Sequence, residues 1–152
     1  MLWFGSMGGM SRFDGNNILN FQTFPIGDNG QMHSAAITRI TTDNTKRFIW
    51  ARATNYCFFC YDTQTGRFLD YSANGEQGKS FREIAFGDNG VVWLYQGNGV
   101  RRCQITYPDG ELEPKFVCTD YTMAKGQLPY HEIRTLLTAE GRGCAQTRDW
   151  RS

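Results

Sequence analysis

Short runs of apolar residues, separated by turn-forming residues, fill most of the chain, and one arrangement of them occurs three times. In each copy an apolar run that contains a tryptophan leads through a turn into a second short run. The three tryptophans, Trp3, Trp50 and Trp93, lie about 45 residues apart. Short apolar runs between turns are typical of β-strands. The pattern therefore predicts an all-β protein that is built from repeats.

Each complete repeat contains four strand signals, which we name A to D in chain order. A repeat of about 40–50 residues with four short strands is typical of a β-propeller blade. Gly66 is expected to supply the positive φ of one hairpin turn, and Asp88-Asn89-Gly90 predicts another hairpin. The strands predicted for the two complete repeats are 37–40, 48–50, 57–61 and 67–71, and then 81–84, 91–95, 100–106 and 113–118.

The two ends of the chain are out of phase with the repeat. The chain starts with strands B, C and D, near residues 2–6, 10–13 and 18–21, and its last clear strand is an A strand. Because closed rings usually hold four to eight blades, the sequence predicts an incomplete ring of about three four-stranded antiparallel blades. The blade-like repeats lie around residues 1–32, 33–78 and 79–128. The predicted partial propeller covers residues 1–137 and ends in the strand 131–137. Residues 138–152 are expected to be atypical or frayed.

Three arrangements are open for such a partial ring. Further blades can belong to a longer protein of which this chain is a fragment. Two copies can form a homodimer through blade completion, in which the terminal A strand of one chain joins the B-C-D blade of the other. The third arrangement is an open arc with exposed strand edges, which favour aggregation.

Composition and charge exclude several classes of partner. The 152 residues carry 16 Lys and Arg against 15 Asp and Glu, so no basic field would attract nucleic acid. No apolar run approaches the ~20 residues that span a bilayer, and no signal peptide is recognisable at the start. Five cysteines are an odd number, so at least one is unpaired within the chain.

The residues that could carry chemistry are better explained by packing. Cys57 and Cys60 have C-x-x-C spacing, but on a strand residues three apart point to opposite faces, and no second ligand pair completes a metal site. Cys103 occupies a packing position of the repeat. The recurring tryptophans favour packing between blades over a sugar-stacking platform. We therefore expect no catalytic residues, no metal and no cofactor.

The loops at one rim of the blades are the remaining candidates for ligand binding. Aromatic rings beside amides and cations suit sugar hydroxyls and uronate carboxylates, although an ordinary solvated loop explains them equally well. These residues lie in or beside the loops between strands B and C and between strand D and the next strand A. The candidates are Arg52, Asn55, Lys79, Tyr95, Gln96, Asn98, Tyr130 and His131.

The repeat resembles the two-component regulator propeller repeat, whose pattern includes D-x-x-G-x-I/L-W-I-G-T-x-x-G-L-x-R-Y/F-D. Residues 2–14 are the closest copy, followed by residues 37–52 and 84–100, and the resemblance covers about residues 1–137. It implies the periplasmic sensor region of a Bacteroides-type hybrid histidine kinase, which detects an oligosaccharide and signals to a kinase domain outside this chain. Departures from the pattern occur at Ala51-Arg52, Cys57 and Gln104.

Two other functions remain open beside this sensor. One is a protein-interaction scaffold, for which a large exposed apolar edge or face would be the sign. The other is a lyase-type propeller enzyme similar to streptogramin lyases, which would need a metal and an acid/base histidine. His33 and His131 are the chain's histidines.

Overall fold

The computed structural model of the protein describes most of the chain in nine segments. They are residues 1–26, 31–54, 57–69, 81–96, 99–108, 114–122, 125–128, 133–139 and 142–147.

The described residues form antiparallel β-sheets and no α-helix, which confirms the predicted all-β class. The chain divides into two compact units, Met1–Ser80 and Phe81–Ser152. In the first unit the described strands form a three-stranded sheet of order β1-β2-β3, a β4-β5 hairpin and a four-stranded sheet of order β6-β7-β8-β9. These strands are β1 (Leu2–Ser6), β2 (Gly9–Phe13), β3 (Ile18–Phe21), β4 (Thr23–Pro25), β5 (Met32–Ser34), β6 (Ile37–Thr42), β7 (Phe48–Ala53), β8 (Phe58–Asp62) and β9 (Arg67–Leu69).

The second unit contains a four-stranded sheet of order β10-β11-β12-β13 and a hairpin of two further strands, β14 and β15. Strand β14 lies beside β10 and β11. The described part of the segment that was expected to be atypical contains β15, which pairs with β14 and places Cys144 opposite Leu137. The strands are β10 (Glu83–Phe86), β11 (Val91–Gln96), β12 (Gly99–Thr106), β13 (Lys115–Thr122), β14 (Ile133–Ala139) and β15 (Arg142–Thr147).

The sequence repeat is also a repeat of strand register. Each tryptophan pairs with the corresponding residue of the next strand: Trp3 with Arg12, Trp50 with Cys60, and Trp93 with Arg102. The neighbouring pairs follow the same rule. They are Leu2 with Phe13, Ile49 with Tyr61, and Val92 with Cys103. Equivalent residues of the three sheets can therefore be compared position by position.

Two hairpin turns have the backbone that their glycines predicted. Asn89 and Gly90 have φ values of 55° and 76°, and the N–H of Val91 donates to the carbonyl oxygen of Asp88 at 3.3 Å. Positive φ at both central residues is the signature of a type I′ turn, which matches the twist of the strands. Gly66 has a φ of 70° in the turn between β8 and β9.

The core of the first unit forms where the β1-β2-β3 sheet packs face to face on the β6–β9 sheet. Trp3 stacks on Phe21 within its own sheet, with ring centroids 6.0 Å apart, and contacts Tyr61 of the other sheet at 5.6 Å. Phe21 packs edge-on against Tyr61 and Phe68, at 5.0 Å and 6.1 Å. Aromatic contacts of this geometry stabilise the fold beyond the contribution of the buried apolar area.

The β4-β5 hairpin is an element that the sequence did not predict. Its strands have three residues each, and Pro25 cannot donate to a ladder, so the pattern there lacks a strand signal. The hairpin exists because Phe24 is fully buried and stacks on Phe59 of the β6–β9 sheet, with centroids 4.5 Å apart. Tertiary packing therefore decides the conformation of this segment.

Strand β3 passes very close to Gly9 at the start of β2. It has a φ of 130°, and a Cβ added there would collide with the carbonyl oxygen of Phe21. Gly15 has a φ of 106° but nothing within 4 Å of the same position. We expect Gly15→Ala to cost about 1–3 kcal/mol of backbone strain. Gly9→Ala should cost clearly more, because strand β3 must also shift. Chemical denaturation of both variants measures the difference, and equal losses would contradict the close approach.

Candidate functional site

Two arginines face each other across strands β6 and β7. Arg39 and Arg52 are register partners of the antiparallel pair, and both side chains are half-buried. Like charges directly opposite each other on neighbouring strands are destabilising. The register therefore places two basic residues opposite each other at this end of β7.

Hydrogen bonds hold Arg52 at this position. Its Nε donates to the hydroxyl oxygen of Thr38 at 3.2 Å, and the Thr38 hydroxyl donates to the carbonyl oxygen of Arg52 at 3.1 Å. The next residue, Ala53, donates its N–H to the carbonyl oxygen of Cys57 at 2.9 Å, which closes the connection between β7 and β8. The arginine pair thus lies at the start of the β7–β8 loop, which the sequence predicts as a candidate for ligand binding.

The electrostatics of the pair reflect its burial and its two like charges. Burial lowers the pKa of the Arg39 guanidinium, and the positive charge of Arg52 lowers that pKa further. Planar guanidinium groups bind carboxylate oxygens through paired hydrogen bonds, which makes arginine a suitable residue for recognising an acidic ligand.

The other candidate residues are placed differently or lie outside the described residues. Tyr95 belongs to the second unit, where its buried side chain packs with Val100, Trp93 and Leu128. Gln96 is the last residue of β11, opposite Gly99. The candidates outside the described residues are Asn55, Lys79, Asn98, Tyr130 and His131.

Arg39, the partner of Arg52 in this pair, is a candidate that the sequence did not predict. In the run Ile37-Thr38-Arg39-Ile40 the apolar ends predict a strand, and nothing in the run marks Arg39 as a binding residue. The signal that could have found it is the pairing of strands A and B. The structure places Arg39 opposite Arg52 past an irregularity in the β6–β7 register, between Ile37 and Arg39. A bulge of this kind is set by local packing rather than by residue pattern.

The cysteines of the first unit are structural. Cys57 and Cys60 are buried thiols, and burial raises the pKa of each; the nearby Asp62 and Asp43 raise that of Cys60 further. A thiol with a raised pKa forms little of the reactive thiolate. Within the described part of the chain no group of three or more His, Cys, Asp or Glu side chains could hold a metal ion.

The second unit contains a disulfide between Cys103 and Cys118. These residues are register partners on β12 and β13, and Cys103 is fully buried. Two residues before Cys103, on the same face of β12, the buried Arg101 pairs with Asp120. Its Nε donates to Asp120 Oδ1 at 2.7 Å, and its Nη2 donates to Oδ2 at 3.0 Å. The disulfide and the ion pair together fix the two strands.

The recurring tryptophans pack in the sheets. Trp50 is completely buried. Trp3 and Trp93 are half-buried, and the guanidinium groups of Arg12 and Arg102 lie over their rings, each 5.9 Å from the ring centroid. His33, one of the two histidines that a lyase would need, is exposed opposite Phe24 in the β4-β5 hairpin, and His131 lies outside the described residues.

Comparison with protein-family models, with curated proteins and with solved structures finds no match to this chain. Across the described residues, no helix is long and apolar enough to cross a membrane.

Proposed function

We propose that the chain is the extracytoplasmic ligand-sensing part of a two-component signalling protein and that it binds an oligosaccharide with acidic groups. The observation that carries the proposal is the half-buried pair Arg39 and Arg52 at the start of the β7–β8 loop. Guanidinium groups on neighbouring strands suit the carboxylate of a uronic acid, because arginine is the side chain that recognises carboxylates through its planar set of donors.

The proposed architecture is a partial β-propeller, whose blades are the four-stranded sheets β6–β9 and β10–β13 and the three-stranded sheet β1–β3. Support comes from the strand order, which follows the chain in each sheet, and from the shared register of the three tryptophan hairpins. The face-to-face packing of the β1–β3 sheet on the β6–β9 sheet is the packing that neighbouring blades use.

A periplasmic location forms part of the same proposal. Disulfides form and persist in oxidising compartments, so the Cys103–Cys118 bond fits a periplasmic protein. Binding of a ligand beside β7 would favour one packing of neighbouring sheets over another, and a kinase domain elsewhere in the signalling protein would respond to that shift.

Calorimetric titration tests the proposal with three probes of equal length: an oligogalacturonide, a neutral gluco-oligosaccharide and a sulfated oligosaccharide. We expect an acidic probe to bind and the neutral one to bind weakly. Arg52→Gln should weaken that binding about 10–100-fold, since a hydrogen bond to a charged group contributes about 1.5–3 kcal/mol. Arg52→Lys keeps the charge and should restore only part of the affinity.

The matched control is Lys125→Gln, which makes the same change of charge at an exposed turn of the other unit. It should leave the affinity unchanged. A protein that binds none of the three probes would refute the sugar-sensor proposal, and an equal effect of the two Gln variants would show that the charge acts without a site at Arg52.

A further inference from the structure

Strand β6 contains one residue more than its partner strand where it passes Arg52. Ile37 pairs with Ala53 and Arg39 pairs with Arg52, so two steps along β6 match one step along β7. The extra residue is Thr38. A β-bulge of this kind interrupts the ladder and can change the direction of a side chain, and bulges are frequent beside functional sites. The contacts of the Thr38 side chain therefore bear on the site at Arg52.

The Thr38 hydroxyl contacts both the backbone and the side chain of Arg52. It donates to the carbonyl oxygen of Arg52 at 3.1 Å and accepts the Nε–H of the same residue at 3.2 Å. The two hydrogen bonds join the guanidinium group to its own backbone through one hydroxyl. An arginine side chain has several rotatable bonds, and ordering it before a ligand arrives lowers the entropic cost of binding. The Thr38 hydroxyl is therefore placed to restrict the conformations of Arg52.

The repeat does not require this arrangement for strand pairing. Tyr95 follows Trp93 by two residues, as Arg52 follows Trp50, and its register partner on β10 is Glu83. The described β10–β11 pairing contains no such irregularity. The carbonyl oxygen of Tyr95 accepts the backbone N–H of Arg82 at 2.8 Å. A sheet of this protein therefore forms without a threonine–arginine contact, so that contact at Arg52 needs another explanation.

The contact with Thr38 also determines how Arg52 can meet an acidic group. An arginine binds a carboxylate through two parallel hydrogen bonds, either from Nε and Nη2 or from Nη1 and Nη2. The Nε–H of Arg52 already donates to Thr38. The two Nη groups at the end of the guanidinium are therefore the pair of donors that suits a carboxylate here.

We propose that Thr38 is a positioning residue of the oligosaccharide site: it orients the Arg52 guanidinium so that its Nη groups bind the carboxylate of the sugar. The inference rests on the proposed function for its ligand, whereas the contact between Thr38 and Arg52 is a property of the ligand-free protein. Removal of the hydroxyl leaves the charge of Arg52 in place and removes its fixed direction. The loss of affinity should therefore be smaller than when the guanidinium group itself is removed.

The first test uses the full chain without ligand. The side-chain Nε–H of Arg52 gives a proton–nitrogen NMR signal, which Arg52→Gln identifies by its loss. Thr38→Val keeps the branched side chain and should make this proton exchange with solvent several-fold faster, whereas Thr38→Ser should leave the exchange rate nearly unchanged. The matched control is Thr42→Val, because the Thr42 hydroxyl also reaches from β6 to a carbonyl oxygen of β7, that of Phe48, at 2.9 Å. An exchange rate that is unchanged in Thr38→Val would overturn the proposal.

Calorimetric titration with the oligogalacturonide then measures what the positioning contributes to binding. Thr38→Val should weaken binding about 3–10-fold, the effect of one hydrogen bond of ordinary strength. Thr38→Ser should restore most of the affinity. In a protein that already carries Arg52→Gln, Thr38→Val should cause no further loss, because the effects of residues that act through each other are not additive. Equal losses in the presence and absence of the Arg52 guanidinium would overturn the proposal.

The outcomes separate this inference from the proposed function. A protein that binds none of the probes would refute the oligosaccharide site, and the exchange rate of the Arg52 proton would still decide whether Thr38 orients the side chain. Equal losses of affinity in Thr38→Val and Thr42→Val would show a general effect on β6 and would overturn the positioning role. Far-UV circular dichroism and a thermal melt establish that each variant is folded before these comparisons are made.

Discussion

Replacing Asp62 with alanine is expected to lower the free energy of unfolding by about 3–5 kcal/mol. The Asp62 side chain is completely buried at the end of β8, where Arg47 Nε and Nη2 donate to its two carboxylate oxygens at 2.8 Å and 2.7 Å. The N–H of Gln64 and the hydroxyl of Thr65 also donate to it, each at 3.0 Å. The alanine variant removes the acceptor of four hydrogen bonds and leaves the charge of Arg47 without this carboxylate.

Asp14 provides the matched control, because the repeat puts it at the position equivalent to Asp62. It follows Phe13 as Asp62 follows Tyr61, but it is exposed, and its carboxylate accepts hydrogen bonds from the N–H groups of Asn16 and Asn17 at 2.9 Å and 2.7 Å. Asp14→Ala should therefore lower the free energy of unfolding by only a small part of the amount expected for Asp62→Ala. Urea denaturation of both variants measures the difference, and similar losses would contradict the role of the buried ion pair.

The pH dependence of stability gives a second readout for Asp62. Burial raises the pKa of its carboxyl, but the hydrogen bonds from Arg47, Gln64 and Thr65 outweigh burial, so the pKa is lowered overall. A lowered folded-state pKa stabilises the protein above the unfolded value of about 3.9, and this contribution is lost as the pH falls through the folded value. Asp62→Asn should accordingly make the loss of stability in acid less steep than in the unchanged protein.

The strands were predictable because local signals agree with the final packing. Alternating apolar residues around Trp50 and Trp93 and the turn at Asn89-Gly90 specify hairpins through local geometry alone. Phe24 shows the limit of such signals, because its three-residue strand packs through ring contacts with Phe59 and Phe68 of another sheet. Nothing in the spacing of apolar residues indicates a partner that lies in a distant part of the chain.

The candidate site was predictable only in part for a related reason. Arg52 is predictable as a candidate because it precedes a loop of the repeat, whereas Arg39 lies opposite it through a register that includes an irregularity. Cys103 and Cys118 likewise face each other because of the register between β12 and β13, which depends on where β12 ends and β13 begins. Pairings between strands depend on register, and a shift of one residue would move a side chain to the other face.

Replacing Trp50 with alanine should cost about 3–5 kcal/mol, the usual loss when a large aromatic side chain is removed from a core. Trp50 is completely buried, and its register partner Cys60 is buried as well. At the equivalent position of the other two sheets an arginine faces the tryptophan, and there the ring is half-buried. The ring is therefore completely buried in the β6–β9 sheet, where its partner is the small apolar Cys60, and only half-buried where its partner is an arginine.

Trp50→Phe and Trp93→Ala complete the test of this tryptophan. Phenylalanine refills most of the space, so Trp50→Phe should lose much less stability than Trp50→Ala and remain measurable if the alanine variant does not fold. Trp93→Ala removes a half-buried ring and should cost less than Trp50→Ala. Far-UV circular dichroism during denaturation ranks the variants. If oligosaccharide affinity fell in a fully stable Trp50→Phe protein, Trp50 would contribute to binding, because a residue that only packs would leave that affinity unchanged.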